Sequence, residues 1–298
     1  VLFGSDISEI LQQLVNGLAL GSVYALIALG YTMVYGIIRL INFAHGDVFM
    51  LGAYYGYYAI TSFRVPFVLA LPVSMGMAAL TGILIERFAY RPLRRAPRIA
   101  ALITAIGMSL LIQNLGLQLF QSRPRPYPQI MRTRVWDVGG VVFSNTQVVM
   151  LGVALLLMVL ISLFVYRTKT GKALRAVAFD RDAARLMGID ADRMIAITFA
   201  LGSALAAAGG MLVGFYYNRI TPTMGTMYGL KAFVAAVVGG IGIVPGAMLG
   251  GLIMGIAEVF VAAFVSSTLK DAIAFAVLIV VLFVKPAGLL GKAVREKV

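Results

Sequence analysis

Apolar positions along the chain gather in nine long runs separated by short polar stretches: 11–36, 42–62, 66–86, 99–120, 147–166, 194–216, 228–243, 246–265 and 270–287. A helix needs about 20 apolar residues to cross the ~30 Å hydrocarbon layer of a bilayer. Most of the runs meet that length. Their apolar residues follow one another rather than alternate, which argues against a transmembrane barrel. The second and seventh runs contain or adjoin polar or glycine-rich interruptions, so the expected count is about nine helices, within eight to ten. The pattern predicts an all-α polytopic membrane protein, organised as one transmembrane domain over 1–298.

The polar stretches give the runs a direction. Cytoplasmic loops collect Lys and Arg. With the N-terminus outside and the C-terminus cytoplasmic, 17 of the 25 basic residues fall inside. They are Arg39, Arg87, Arg91, Arg94, Arg95 and Arg98, seven in the loop 167–193, and Lys285, Lys292, Arg295 and Lys297. The opposite orientation reverses the ratio. The outer loop 121–146 breaks the rule with Arg123, Arg125, Arg132 and Arg134, and Pro124, Pro126 and Pro128 make it a stiff, extended segment. The first charges are Asp6 and Glu9, so no basic n-region marks a signal peptide and the first run is expected to stay as a spanning helix.

Composition agrees. Of the 298 residues, 61% are apolar and 12% charged, too little polarity for a water-soluble enzyme. Mean hydropathy is +0.94. The net charge of +13 belongs to membrane flanks rather than to nucleic-acid binding. There is no cysteine and one histidine, which leaves no thiolate or histidine cluster for a metal.

The two halves of the chain echo each other. Gly21-Ser22 recurs as Gly202-Ser203, Arg39-Leu40 as Arg219-Ile220, and Val65-Pro66 as Val244-Pro245, at offsets of 181, 180 and 179. The matched helices, the first and the sixth, are five spans apart, so the halves (about 11–120 and 194–290) are expected to be inverted in topology. Inverted repeats are a transporter signature, with the solute path at the repeat interface.

Three places concentrate chemistry. The stretch Asn42-Phe43-Ala44-His45-Gly46-Asp47 interrupts the apolar pattern. Gly46 can break a helix, and Asn42 or Asp47 can cap the new start. Two readings stay open: a discontinuous helix lining a solute path, or a polar turn at the inner surface. The loop 167–193 contains a short amphipathic helix, capped by Asp180 and stopped at Gly188, with Leu186 and Met187 for a partner groove and Arg181 and Arg185 on the wet side. Gly239-Gly240-Ile241-Gly242, Gly246/Gly250 and Gly251/Gly255 suit close helix packing. Lys231 and Glu258 are intramembrane charges that can pair or reach an interface. No Gly-x-x-x-x-Gly-Lys-[Ser/Thr] run occurs, so the chain has no P-loop for ATP.

Asn42-Phe43-Ala44-His45-Gly46-Asp47, Gly229-Leu230-Lys231-Ala232-Phe233 and Gly239-Gly240-Ile241-Gly242 followed by Pro245-Gly246-Ala247 resemble the LivH-type permease family of branched-chain amino acid ABC importers. The resemblance runs from about 11 to 290. ABC importer permeases carry a Glu-Ala-Ala-x-x-x-Gly coupling motif. Asp182-Ala183-Ala184-Arg185-Leu186-Met187-Gly188 is similar to it, with Asp for Glu and without the Leu-Pro that follows in many importers. The resemblance implies an inner-membrane permease subunit that forms half of a translocation pathway for branched-chain or other hydrophobic amino acids. It implies a second homologous permease subunit, two cytoplasmic ATP-binding subunits that hold ATP and Mg, and a periplasmic solute-binding protein. The chain itself is then not an enzyme and holds no cofactor. The pathway or gate is expected at Asn42, His45, Gly46, Asp47, Lys231, Gly239 and Gly240, and ATPase coupling at Asp182, Ala183, Ala184, Arg185, Leu186 and Gly188. Urea or short amides as solutes, an ion-coupled secondary transporter, and a passive channel or scaffold subunit are the competing readings.

Overall fold

A computed structural model describes residues 7–94, 96–129 and 131–291, with Arg98 by its backbone alone. Asp6, Arg95, Lys292, Arg295, Lys297 and the Arg98 side chain, which entered the readings of the N-terminus and of orientation, lie outside the described residues.

Each of the nine apolar runs holds a helix: α1 (Ile7–Ile38), α2 (His45–Thr61), α3 (Phe67–Ile85), α4 (Arg98–Phe120), α5 (Asn145–Arg167), α8 (Ala191–Tyr217), α9 (Met224–Gly239), α10 (Val244–Phe264) and α11 (Lys270–Val284). Two more helices, α6 (Lys169–Phe179) and α7 (Arg181–Leu186), occupy the polar loop between α5 and α8. Six of the helices, α1, α3, α4, α5, α8 and α10, are long and apolar enough to cross a membrane. At 17, 16 and 15 residues, α2, α9 and α11 rise only about 22–26 Å, short of the hydrocarbon thickness. Nine crossings are therefore not established by length.

Side-chain size sorts the helices. From Ala19 to Val34 every residue of α1 is buried, and the stretch is punctuated by Gly21, Ser22, Ala25, Ala28 and Gly30. Small residues let backbones approach where lipid supplies no hydrophobic force between helices. Gly17 and Gly21 lie against Ile256 and Leu252 of α10, and Gly30 lies against Gly202 of α8. The Gly246/Gly250 and Gly251/Gly255 pairs pack in the same way, the first on α9 and the second on α1. By contrast α3, α4 and α5 turn Leu, Ile and Val outward over most of their length.

The contact pattern is itself two-fold. α1 packs on α10 as α8 packs on α3, α2 packs on α3 as α9 packs on α10, and the pairs α1/α8 and α2/α9 meet at the centre. Equivalent positions, 179 apart, touch each other. Gly46 abuts Gly225, and Phe49 stacks on Tyr228 at 5.2 Å between ring centroids.

One end of the bundle carries α6, α7 and the bend after α3, which widens into a π turn (Glu86–Tyr90) and then narrows to a 3-10 turn (Arg91–Leu93). The other end carries the loop 121–144. There β1 (Arg125–Pro126) pairs antiparallel with β4 (Arg219–Ile220), and β2 (Val135–Val138) forms a hairpin with β3 (Val141–Ser144). Gly139 and Gly140 both take positive φ (64° and 84°), as the two-residue hairpin turn requires. Arg125 does not project. It donates to Phe120 O and Tyr58 Oη and lies over the Tyr57 and Tyr58 rings.

Candidate translocation site

α1 ends where Arg39 turns left-handed (φ 53°), and six residues later α2 begins at His45. α8 ends at Asn218 (φ 52°), and six residues later α9 begins at Met224. In both breaks the first helical N–H donates to a main-chain oxygen three residues back: His45 to Asn42 at 3.1 Å, Met224 to Thr221 at 3.2 Å. The break next to Asn42 was legible; its caps were not. Ala44 sits at the N-cap of α2 with no side-chain cap bond. Asn42 accepts instead from Tyr90 Oη at 3.1 Å, and Asp47 lies inside the first turn. Gly46 does not break the helix. It removes the side chain where α2 crosses α9, against Gly225 and Gly229.

His45 is 1% exposed. Its Nε2 is 3.2 Å from Ile27 O, and its ring meets Tyr31 edge-on at 4.5 Å, in the space left by Gly30. These contacts tie α2 to α1. Asp47 differs. It is 3% exposed, and one carboxylate oxygen accepts from Ser109 Oγ of α4 at 2.5 Å. Its other oxygen receives no hydrogen bond among the described residues. A buried carboxylate is costly unless cations or donors complete it, so Asp47 stands out as a charge-bearing group within an apolar bundle.

Asp47 lines a groove of about 240 Å³ between α2, α4 and α9. Its polar wall is Asp47, Ser109, Gln113 and Thr226, with Gln113 Nε2 donating to Thr226 Oγ1 at 2.7 Å. Its apolar wall includes Tyr31, Ile106, Leu230 and Phe233. The volume is below the roughly 300–1,000 Å³ of pockets that take drug-sized ligands and suits a smaller solute. Gln113 and Thr226 carry no motif. The signal for this meeting point is the small-residue spacing Gly225/Gly229 together with the 179-residue offset from Gly46.

Lys231 lies on another face of α9. Its Nζ is 2.6 Å from Glu258 Oε1 and 2.6 Å from Asp271 Oδ1, and Tyr24 Oη donates to Glu258 Oε2 at 2.7 Å. The cluster joins α1, α9, α10 and α11 beside a cavity of about 430 Å³ that also receives Arg219 and Lys270. Gly239 and Gly240 stand at the end of α9, packed against Gly246 and against the 287–291 strap, away from the groove. That strap donates from Leu289 and Leu290 to the Val238 and Gly239 carbonyls.

At the α6/α7 end, Asp180 Oδ1 accepts from the N–H groups of Asp182 and Ala183, and Gly188 takes φ 79°. Leu186 and Met187 are 90% and 82% exposed. Arg181 is half-buried. It donates to Ile37 O at 2.6 Å, so α7 is held on the last turn of α1. Asp192 accepts from Arg91 and Arg94, and Arg94 also reaches Glu86 after α3.

Two helices long and apolar enough to cross a membrane, α1 and α4, line the Asp47 groove, and the chain is a multi-pass membrane transport protein. The profile described as branched-chain amino acid transport system, permease component, matches residues 13–282. The chain is 45% identical to the high-affinity branched-chain amino acid transport system permease protein BraD of Pseudomonas aeruginosa, covering 98% of this chain and 99% of that one. It is 46% identical to LivH of Escherichia coli K12, over 97% of each chain. A probable branched-chain amino acid transport permease of Methanocaldococcus jannaschii is 29% identical over 89% of this chain and 88% of its own length. The chain belongs to the branched-chain amino acid transport system permease family.

Proposed function

We propose that this chain is the permease subunit of an ATP-driven importer of branched-chain amino acids and that the Asp47 groove holds the solute during passage. The observation that carries this reading is the buried Asp47 carboxylate in a groove whose lining also includes Ile106, Leu230 and Phe233. An aliphatic amino acid matches it part by part. Its ammonium completes Asp47, its carboxylate takes donors from Gln113 and Thr226, and its side chain lies against Ile106, Leu230 and Phe233. A neutral short amide such as urea has neither charge, so a buried carboxylate serves it poorly.

The groove is open at Ile106, Leu110 and Leu230, which are exposed on this chain. A second, homologous permease subunit closes it, and the two together form the pathway. The halves 11–120 and 194–290 are inverted repeats, supported by the paired breaks and by the Gly46/Gly225 contact. The N-terminus lies outside and the C-terminus in the cytoplasm of the inner membrane, so α6 and α7 meet the ATPases. Two cytoplasmic subunits bind ATP and Mg there, and a periplasmic binding protein delivers solute to the 121–144 end. Leu186 and Met187 of the 182–188 segment insert into an ATPase groove. ATPase closure then moves α7, and the Arg181–Ile37 bond and the Asp192 network pass that motion to α1 and to the bend after α3. Alternating access follows when α1 shifts against the α2/α9 crossing.

The sequence contains no cysteine, so single cysteines report without background. Thiol modification of Ser109→Cys and Thr226→Cys in the assembled transporter is expected to slow in the presence of leucine and not of urea. Equal rates with and without leucine at both positions defeat the placement of the solute.

A further inference from the structure

The α6/α7 end holds five arginines in close association: Arg39 after α1, Arg91 and Arg94 in the bend, and Arg181 and Arg185 on α7. Three carboxylates serve them. Asp192 is shared by Arg91 at 3.1 Å, Arg185 at 3.6 Å and Arg94, while Glu86 takes Arg94 and Asp182 takes Arg185 at 3.7 Å. Arg39 and Arg181 have no carboxylate partner among the described residues. The hydrogen bond of Arg181 goes to the neutral Ile37 O, and Arg39 adopts a left-handed backbone that residues with side chains avoid. Between them lies a cavity of about 320 Å³. Arg39, Arg94 and Arg181 line it with Leu40, Leu93 and Phe179, and no acidic residue contributes to its wall among the described residues. Arg94 Nε is buried and has no hydrogen-bond partner among the described residues. Burial and the adjacent charges of Arg94, Arg185 and Arg39 lower the proton affinity of Arg181.

We propose that this cavity is a phosphate-group site, in which Arg39 and Arg181 clamp one anion and Arg94 supplies a further donor. Guanidinium forks match phosphate oxygens bidentately, and an anion between two like charges removes their repulsion. Two sources share this chemistry. One is the headgroup of an anionic phospholipid, since basic pockets between transmembrane helices on the cytoplasmic side bind such headgroups and Leu40 and Leu93 offer an apolar flank. The other is free inorganic phosphate. Either one bridges the end of α1 to α7 and stiffens the link between the helix break and the ATPase dock. The site is separate from the solute groove and does not depend on which solute passes.

The test is the melting temperature of the detergent-purified transporter with dioctanoyl-phosphatidylglycerol, dioctanoyl-phosphatidylcholine or inorganic phosphate at constant ionic strength. The expected result is a saturable upward shift with phosphatidylglycerol and none with phosphatidylcholine. The Arg39→Gln/Arg181→Gln variant is expected to bind about tenfold or more weakly, as loss of charged hydrogen bonds implies. A saturable shift with inorganic phosphate alone, lost in the same variant, assigns the site to the free anion. If that variant does not fold, Arg39→Lys/Arg181→Lys, which keeps the charge and loses the fork, is expected to weaken binding less. No shift with either anion, or an unchanged response in the Gln or Lys variant, overturns the proposal.

Discussion

Gly46 and Gly225 abut each other, each with its main-chain oxygen where the other's side chain would lie. They stand 179 residues apart, at the second position of α2 and of α9, so the two short helices cross at matching points. A methyl group at either position meets backbone, which cannot rotate away. Gly46→Ala and Gly225→Ala are each expected to destabilise the protein by about 1–3 kcal/mol, the usual effect of overpacking. Gly107→Ala, with open space around it, is the control and is expected to leave the melting temperature unchanged or slightly raised. Equal effects at Gly46 and Gly107 contradict the crossing.

Lys231 is the only cation in contact with Glu258 among the described residues, and both are buried. Removing one member of such a cluster leaves a charge without its partner. Lys231→Met is expected to cost about 3–5 kcal/mol, and Lys231→Met/Glu258→Gln to recover part of it. Thermal melts of the single and double variants give the comparison. Additive losses mean that the two do not interact.

Leu186 and Met187 contribute little to the fold of this chain because both are exposed. Leu186→Ser/Met187→Ser is expected to leave the unfolding free energy within about 0.5 kcal/mol of the parent protein, as for surface substitutions generally. The same variant is expected to lose transport-coupled ATPase stimulation. Gly188→Pro is expected to act more severely, since proline cannot adopt φ 79°. Unchanged stimulation in both variants removes this segment from coupling.

The helices were legible because hydropathy over twenty residues is a strong signal, and the nine apolar runs each contain one. α6 was not, because Lys169, Lys172 and Arg175 make 169–179 read as a charged loop, whereas one face with Leu174 and Val177 is buried. The cap Asp180 was legible because it depends only on neighbouring N–H groups. The role of Asn42 was not, because its partner is Tyr90, 48 residues away. Lys231 and Glu258 stood out as charges in apolar runs. Asp271 did not, since it opens a run and only the tertiary fold brings it to Lys231. Asp47 was singled out, but its groove was not. Gln113 and Thr226 are 113 residues apart and unremarkable in their own segments.

The solute groove rests on one acidic group, and one measurement reaches it: leucine uptake into proteoliposomes holding the complete transporter, with and without ATP, for the parent chain and for Asp47→Asn. The account predicts uptake that requires ATP in the parent and falls about tenfold or more in Asp47→Asn, the loss of a charged hydrogen bond. ATP-independent uptake driven by an ion gradient, or Asp47→Asn at the parent rate, contradicts it.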